Sequence, residues 1–580
     1  MRQHIVRRAT VADDFLPAHL DATIKQLYAR RGVISAEQLQ LTVKQLHAVD
    51  TLHGVEQACG IIHQALLKQQ QITIIGDFDA DGATSTALMV EALSMLGCQQ
   101  HNFLVPNRFK YGYGLTPEIV ELANQQGSEC IITVDSGISC LAGVAHAKQL
   151  GMTVVVTDHH LPGQTLPNAD AIVNPNLPHC HFPSKALAGV GVAFYVMLAL
   201  RKYLRELNWF AERQLVEPNL AQLLDLVALG TVADVVALDA NNRILVNQGV
   251  MRIRAGKTRP GIQALIEIAG KNQQQLIASD FGFALGPRIN AAGRLEDMAY
   301  GINCLLAKDI NIARVMAARL DELNSTRREI EQDMQADAER ILQQLNFDEH
   351  NLPAAIALYH PDWHQGVIGI VAGRIKDKYH RPTVVFADAI DDTTSELSPD
   401  IKGSARSING LHIRDLFEHM ASLQPTLISK FGGHAMAAGL SMPRQHFELF
   451  QQLLQQVAEQ WLSPEQLTQV IYSDGELNPA QMQIDFAQQL RDAGPWGQQF
   501  PEPVFDDQFT LVQQRIVGAK HLKCVLAKQG QLFDGIAFNI DLQQWPNEQV
   551  SQVQVAYKLD INEFRGQRSV QLMIAQIQAI

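Results

Sequence analysis

Three acidic residues spaced two apart, Asp77, Asp79 and Asp81 in the stretch ITIIGDFDADG, are where this chain most directly offers chemistry. Side chains at i, i+2 and i+4 of an extended segment share one face, so the three carboxylates can converge on one point; in a helix, neighbours two apart diverge. Ionised carboxylates that close raise one another's pKa, an arrangement that makes sense with divalent cations among them. The alternative for this stretch alone is a solvated acidic turn. Two further apolar runs end in the same way. Asp135 follows residues 131–134 in CIITVDSGIS, and Asp158, His159 and His160 follow residues 153–156 in MTVVVTDHHLPG. Adjacent histidines on an extended segment point to opposite sides, so one is expected to be a direct ligand and the other to meet substrate. A buried structural pair would explain an isolated HH, but here it has to explain the same placement three times. Asp234, in LLDLVALGTVADVVAL, completes an oxygen and nitrogen donor set without thiolates, which suits manganese or magnesium better than structural zinc.

These residues need a scaffold that brings strand ends together. The β-branched run at 72–75 predicts a buried strand, with Gly82 turning the chain into a helix from about Ala83 to Leu96. An amphipathic helix is predicted at 55–67 and another strand at 102–105. Strand alternating with helix predicts a parallel sheet, whose sites lie at the carboxyl ends of the strands. The loop PNRFKYGYGL mixes Arg108 and Lys110 with Tyr111 and Tyr113, a combination suited to phosphate contact and base stacking, although ordinary surface loops carry such mixtures too.

The whole chain sets the bounds. At 580 residues, three to four domains are expected, and 47% hydrophobic against 18% charged residues supplies a sizeable core. No apolar run reaches the roughly 18 residues of a membrane span, and the start MRQHIVRRATVADDF lacks an apolar signal core, so a cytoplasmic protein is expected. Seven cysteines without a CxxC pair read as reduced core thiols. The net charge of -13 argues against indiscriminate nucleic-acid binding, but it counts every carboxylate cluster at full charge.

Further along, a polar, charge-rich stretch at 311–345 has helical periodicity and the length of a connector. FGGHAMAAG, with His434, suits close backbone approach to a ligand or, equally, tight packing of small residues. GSARS places Ser404 and Arg406 two apart, a phosphate grip or an accident of composition. From about Tyr472 the chain changes to short β-like runs, which predicts a small barrel. There Arg515, Lys520, Lys523 and Lys528 interleave with Phe533 and Phe538, as a surface tracking a single strand would, or as a solvent face would.

In this order and spacing, GDFDADG, VDSG, DHH and GTVAD resemble the four motifs of the DHH phosphoesterase superfamily. LGPRINAAGR, WHQGVIGIVAGRI, GSARS and FGGHAMAAG resemble the superfamily's bacterial single-stranded-DNA-specific exonucleases, the last three as parts of a DHHA1 domain. The resemblance covers nearly the whole chain from about residue 50. It implies an α/β fold: a segment at 1–50, a parallel-sheet DHH catalytic domain at 51–308, a connecting helix at 309–346, an α/β DHHA1 domain at 347–458 and a C-terminal OB-fold β-barrel at 459–580. It also implies a metal-dependent exonuclease that degrades single-stranded DNA from its 5′ end to mononucleotides and acts in repair and recombination.

By analogy with two-metal hydrolysis, Asp135 would bridge two Mn2+ or Mg2+ ions, Asp77 and Asp79 would hold one, and Asp81, His159 and Asp234 the other. A water with its pKa lowered by the ions would be the nucleophile, His160 and Arg288 would offset phosphoryl charge, and Asp158 would orient a neighbouring histidine. The resemblance further implies DNA contacts from Arg108, Tyr113, Asn290, Arg294, Arg374, Ser404, Arg406, His434, Arg515, Lys520 and Lys523, with Ser404 and Arg406 as the grip on the terminal 5′-phosphate. A monomer is expected, with single-stranded DNA, single-strand-binding protein and a helicase as partners. The competing readings are a smaller-substrate DHH phosphodiesterase acting on short oligonucleotides or cyclic dinucleotides, and a non-catalytic replication scaffold; the intact ligand set disfavours the scaffold.

Overall fold

The computed structural model describes residues 4–107, 111, 113–344, 352–390, 397–542 and 544–580. The chain forms two compact units, one made of Arg7–Asn324 with Ser473–Ile580 and the other of Met1–Val6 with Ser325–Tyr472.

In the larger unit the amphipathic helix α1 (Val55–Leu67) buries Val55, Ala58, Ile62 and Leu66 and leads into β1 (Ile72–Ile75). Then follow α2 (Ala80–Met95), β2 (His101–Leu104), β3 (Cys130–Val134), β4 (Thr153–Thr157) and β5 (Ala171–Val173). All neighbours pair in parallel in the order β2-β1-β3-β4-β5. Strands β1 and β3 are buried at every residue, which is why they read as near-continuous apolar runs, each broken only by one buried threonine, instead of alternating ones. The strand order changes direction between β1 and β3, and ligands of open α/β sheets bind in the crevice outside that switch point. Asp77 follows β1 and Asp135 follows β3, so the acidic residues stand at the mouth of this crevice.

Helices α3 (Gly189–Glu206), α4 (Leu224–Ala233) and α5 (Gly286–Leu295) complete the part of the larger unit built on this sheet. α2, α3 and α4 pack on one another in a single hydrophobic cluster. The long helix α6 (Ile310–Gln344) follows and runs on into the second unit.

A closed five-stranded barrel of Phe505–Val517, His521–Lys528, Gln531–Ala537, Gln552–Phe564 and Gln567–Ala579 forms the C-terminal part of the larger unit. Its antiparallel ladders close through one parallel pairing, Asp534 opposite Gln571. The N-terminal segment is built onto this part. Ile24 and Leu27 join the barrel's core with Phe505 and Tyr557, Arg31 Nη2 lies 2.8 Å from Asp474, and Arg7 Nε donates to Asp506. Leu16, Val33 and Leu52 pack instead into the hydrophobic cluster around the parallel sheet.

The smaller unit carries a five-stranded sheet in the order Lys430–Gly433, Ala437–Pro443, Leu397–Arg406, Thr383–Ile390, Ile356–Tyr359, antiparallel except for its last pair. Helices Ile368–Tyr379, Ile413–Leu423 and Phe447–Trp461 accompany it. All seven cysteines are buried free thiols. Among the described residues no helix is long and apolar enough to cross a membrane.

Candidate metal centre

The three carboxylates of GDFDADG converge, but not along one extended segment. The helix begins at Ala80 and not near Ala83, with Asp79 as its N-cap. Asp79 Oδ1 accepts from Asp81 N and Gly82 N, both at 3.0 Å, so the motif supplies its own cap. Asp77 therefore stands at the strand end, Asp79 at the cap and Asp81 in the first helical turn. Gly82 serves close approach: a Cβ there would lie 2.6 Å from Asp77 O, so only glycine lets the first turn of α2 sit on the backbone of Asp77.

Asp81 is buried and held by a second helix. Its Oδ2 accepts from Gly189 N at 2.6 Å and its Oδ1 from Val190 N at 2.9 Å, both at the positive end of α3. Gly189 faces Asp135 as well, since a Cβ there would fall 2.5 Å from Asp135 Cβ. Asp135 has φ +58°, and Val235, directly after Asp234, has φ +61°. Such backbone costs about 1–3 kcal/mol per residue and persists only where the surroundings over-determine it.

His159 Nε2 lies 3.1 Å from Asp135 Oδ1, 3.5 Å from Asp234 Oδ2 and 4.0 Å from Asp81 Oδ2. Two donors on one ion at right angles and roughly 2.1 Å would stand about 3 Å apart, so this spacing suits a hard cation. Donor atoms lie within 4.8 Å of one another in three groups: Asp77, Asp79 and Asp135; Asp81, His159 and Asp234; and Asp135, His159 and His160. Asp135 belongs to two of them, and its Oδ1 is buried and receives no hydrogen bond from the described residues. An all-oxygen and nitrogen set with such an atom at its centre fits two divalent cations.

The histidines do not diverge. Their ring centroids are 4.5 Å apart, because the backbone after β4 turns inward instead of continuing extended. Asp158 organises that turn: its Oδ1 accepts from His159 N and His160 N and pairs with His160 Nδ1 at 2.7 Å, while its Oδ2 accepts from Ile138 N. Burial works against charge on both partners. The pair prevails, holding the Asp158 carboxyl below its ordinary value and pushing His160 up to about 9. Burial, then the neighbouring carboxylates, drives Asp135 and Asp234 well above the ordinary range and Asp81 up to about 7. Bound cations reverse this penalty.

Around the centre, Tyr113 sets its hydroxyl 3.2 Å from Asp135 O and 3.3 Å from His160 Nδ1, its ring edge-on to Phe78. Arg288 is buried, with Nε on Asp321 Oδ1 at 2.8 Å and Nη1 on Ala284 O at 2.6 Å. Asn290 directs its side-chain oxygen to Ala80 N, and Arg294 stands half-buried near the end of α5. Arg108 lies outside the described residues.

In the smaller unit Arg406 Nη1 donates to Ser404 Oγ at 3.2 Å from the same strand face. A Cβ on Gly369, in the first turn of helix Ile368–Tyr379, would lie 2.8 Å from Ser404 Oγ and 2.9 Å from Arg406 Nη2, so the two side chains stand against that helix's start. Arg374 pairs with Glu331, and His434 is exposed in the turn before Ala437–Pro443. On the barrel, Arg515 pairs across strands with Lys523, and Lys520 is exposed in the turn between them. Lys528 and Phe533 depart from the expected surface run: Lys528 reaches Asp507 and Leu477 O, and Phe533 is core. The seat of Asp81 on Gly189 and Val190 escapes sequence reasoning; the paired glycines of ALAGVGVAF before an apolar run are its one signal.

A parallel sheet with this donor set at its switch point defines a divalent-metal phosphoesterase of the DHH class. Residues 71–231 match the DHH family N-terminal domain, 351–460 the DHHA1 domain and 473–576 the RecJ OB domain. The chain is 56% identical to the single-stranded-DNA-specific exonuclease RecJ of Escherichia coli over the full length of both, and 33% identical to that of Bacillus subtilis over 96% of this chain and 68% of the other. Its fold matches the crystal structure of Thermus thermophilus RecJ in complex with Mn2+ with a TM-score of 0.78 at 28% identity, covering 96% of this chain and 76% of that one. The chain belongs to the RecJ family of single-stranded-DNA-specific exonucleases.

Proposed function

We propose that this chain is a divalent-metal-dependent exonuclease that degrades single-stranded DNA from its 5′ end and releases 5′-mononucleotides, in DNA repair and recombination. The observation that carries the reading is Asp135, shared by two donor groups at the switch point with a buried oxygen that no donor among the described residues satisfies. Asp77 and Asp79 would hold one cation, Asp81, His159 and Asp234 the other, with Asp135 between them. Cations bound there supply charge neutralisation at the phosphoryl group and a water of lowered pKa. His160, kept protonated by Asp158, donates to a phosphoryl oxygen as negative charge builds on it. Tyr113 and Phe78 present aromatic faces to a base beside it.

End selection rests on Ser404 and Arg406. A terminal phosphate carries more negative charge than an internal diester, and a guanidinium, a hydroxyl and a helix start together favour the dianion. Single-stranded DNA is the partner that the barrel's Arg515, Lys520 and Lys523 would track, while single-strand-binding protein and a helicase are the protein partners of such an activity. The test is to follow product lengths over time from 5′- and 3′-labelled single and double strands with Mn2+, Mg2+ or chelator. Mononucleotides released from the 5′ end of single strands, only with metal, are expected. Internal cleavage, 3′ polarity or activity in chelator would overturn the reading.

A further inference from the structure

The motif LGPRINAAGR is expected from its resemblance to touch DNA. Its helix, α5, makes two contacts of a different kind with the acidic loop. Asn290 Oδ1 accepts from Ala80 N at 2.7 Å, and Gly293 lies so close to Phe78 that a Cβ there would stand 1.9 Å from Phe78 O. Both contacts fall on the loop between Asp77 and Asp81.

The first turn of α2 has four backbone N–H groups that the helix itself does not satisfy. Asp79 O takes Ala83 N as the first bond of the helix, and among the helical residues ahead of it Asp79 Oδ1 takes both Asp81 N and Gly82 N. Ala80 N remains, on a residue that is 1% exposed, and Asn290 takes it. An N–H left over there would compete with a cation for the adjoining Asp79 carboxylate, and a carboxylate spent on two sides of its own cap has less to offer a cation. Neither capping bond uses Oδ2 in the structure.

We propose that Asn290 is a positioning residue for the metal centre: its side-chain oxygen holds Ala80 N–H, so that Asp79 caps α2 with one oxygen and keeps the other for the cation. Gly293 seats the loop at the same time by admitting Phe78 O against α5. The assignment rests on the metal-site reading above. It differs from a DNA contact in which end of the amide matters, since a DNA contact would use the Asn290 NH2 group as donor to phosphate, whereas positioning uses the oxygen as acceptor.

The test compares Asn290→Ala and Asn290→Asp in the full chain without DNA, by calorimetric titration with Mn2+ and by amide hydrogen exchange of the segment 76–84. Loss of partners that orient metal ligands weakens binding by about 10- to 100-fold. Asn290→Ala should raise the Mn2+ dissociation constant by about tenfold or more and speed exchange at 76–84. Asn290→Asp, which keeps the acceptor and loses the donor, should retain both Mn2+ affinity and wild-type exchange. Wild-type Mn2+ affinity in Asn290→Ala would overturn the proposal, as would exchange in Asn290→Asp as fast as in Asn290→Ala. If Asn290→Ala does not fold, Asn290→Asp decides alone: lost Mn2+ binding or lost protection refutes the acceptor role. Failure of the wild-type chain to bind Mn2+ would instead refute the metal-site reading itself.

Discussion

In the metal centre, buried carboxylates crowd together and even the positive end of α3 only partly offsets them; in the smaller unit, Ser404 and Arg406 form a cradle whose charge is already positive. The first is incomplete without cations, and its backbone is strained at Asp135 and beside Asp234. The second is preformed, an unstrained strand face against a helix start. If the two sites serve chemistry and end recognition as proposed, the two functions are built from opposite electrostatics and should fail independently.

The strongest way to break that separation is Asp135→Ala. Removing a carboxylate common to two donor groups should lower cleavage by at least about a thousandfold at saturating Mn2+, while the metal-free chain becomes more stable because the repulsion eases. Single-turnover rates together with thermal melting in chelator check both halves; near-wild-type turnover would remove Asp135 from its shared position.

Next in size, Arg406→Ala should shrink the preference for 5′-phosphorylated over 5′-hydroxyl strands by about one to two decades, the worth of a lost charged hydrogen bond of roughly 1.5 to 3 kcal/mol. Mn2+ affinity should not change. Initial rates on the two kinds of end measure the ratio, and an unchanged ratio would place end recognition elsewhere.

Acidity sharpens the contrast from the other side. The Asp81, Asp135 and Asp234 carboxyls titrate higher in the folded metal-free chain than in the unfolded one, Asp81 at about 7. The native state then binds more protons than the unfolded state at neutral pH, so the stability these groups contribute is present at low pH and is lost as pH rises through the folded values. His160, raised to about 9, has the same sign. Melting temperature in chelator should fall by several degrees between pH 6 and pH 8, and Mn2+ should restore it more at pH 8 than at pH 6. A flat profile in chelator would mean that the carboxylates are already compensated within the protein.

The smallest effect is expected on the barrel. Arg515→Ala with Lys523→Ala should weaken binding to long single strands several-fold and reduce the salt slope by about 1.4, since each phosphate contact on a single strand contributes about 0.7. Cleavage of short strands should be unaffected. Substitution is the better probe than deletion from Tyr472 onward, because Ile24, Leu27 and Arg31 of the N-terminal segment depend on that part for their packing. An unchanged salt slope would mean that DNA follows another face.

Legibility varied with how local the cause was. The strand at 72–75 and the helix at 55–67 follow from periodicity and are found at those residues. Gly82 reads as a turn ahead of α2, whereas it lies inside the first turn and its missing side chain is used for contact with Asp77. Adjacency in an extended segment predicts His160 pointing away from His159, whereas Asp158 turns it inward. Lys528 and Phe533 fall in the run whose composition suggests an exposed face, although the alternation of their two strands sends them to Asp507 and to the core.

By itself the sequence determined the kinds of donor, their order and their attachment to strand ends, because hydrophobic runs, turn residues and side-chain chemistry are properties of neighbours along the chain. Only the tertiary structure decided how the charge is compensated. Asp81 meets the amides of Gly189 and Val190, Ala80 N–H meets Asn290, and Arg31 meets Asp474, each across a hundred residues or more. Such pairings leave no local pattern, since a buried polar group must find a partner wherever the fold brings one and no spacing in the sequence records where that is.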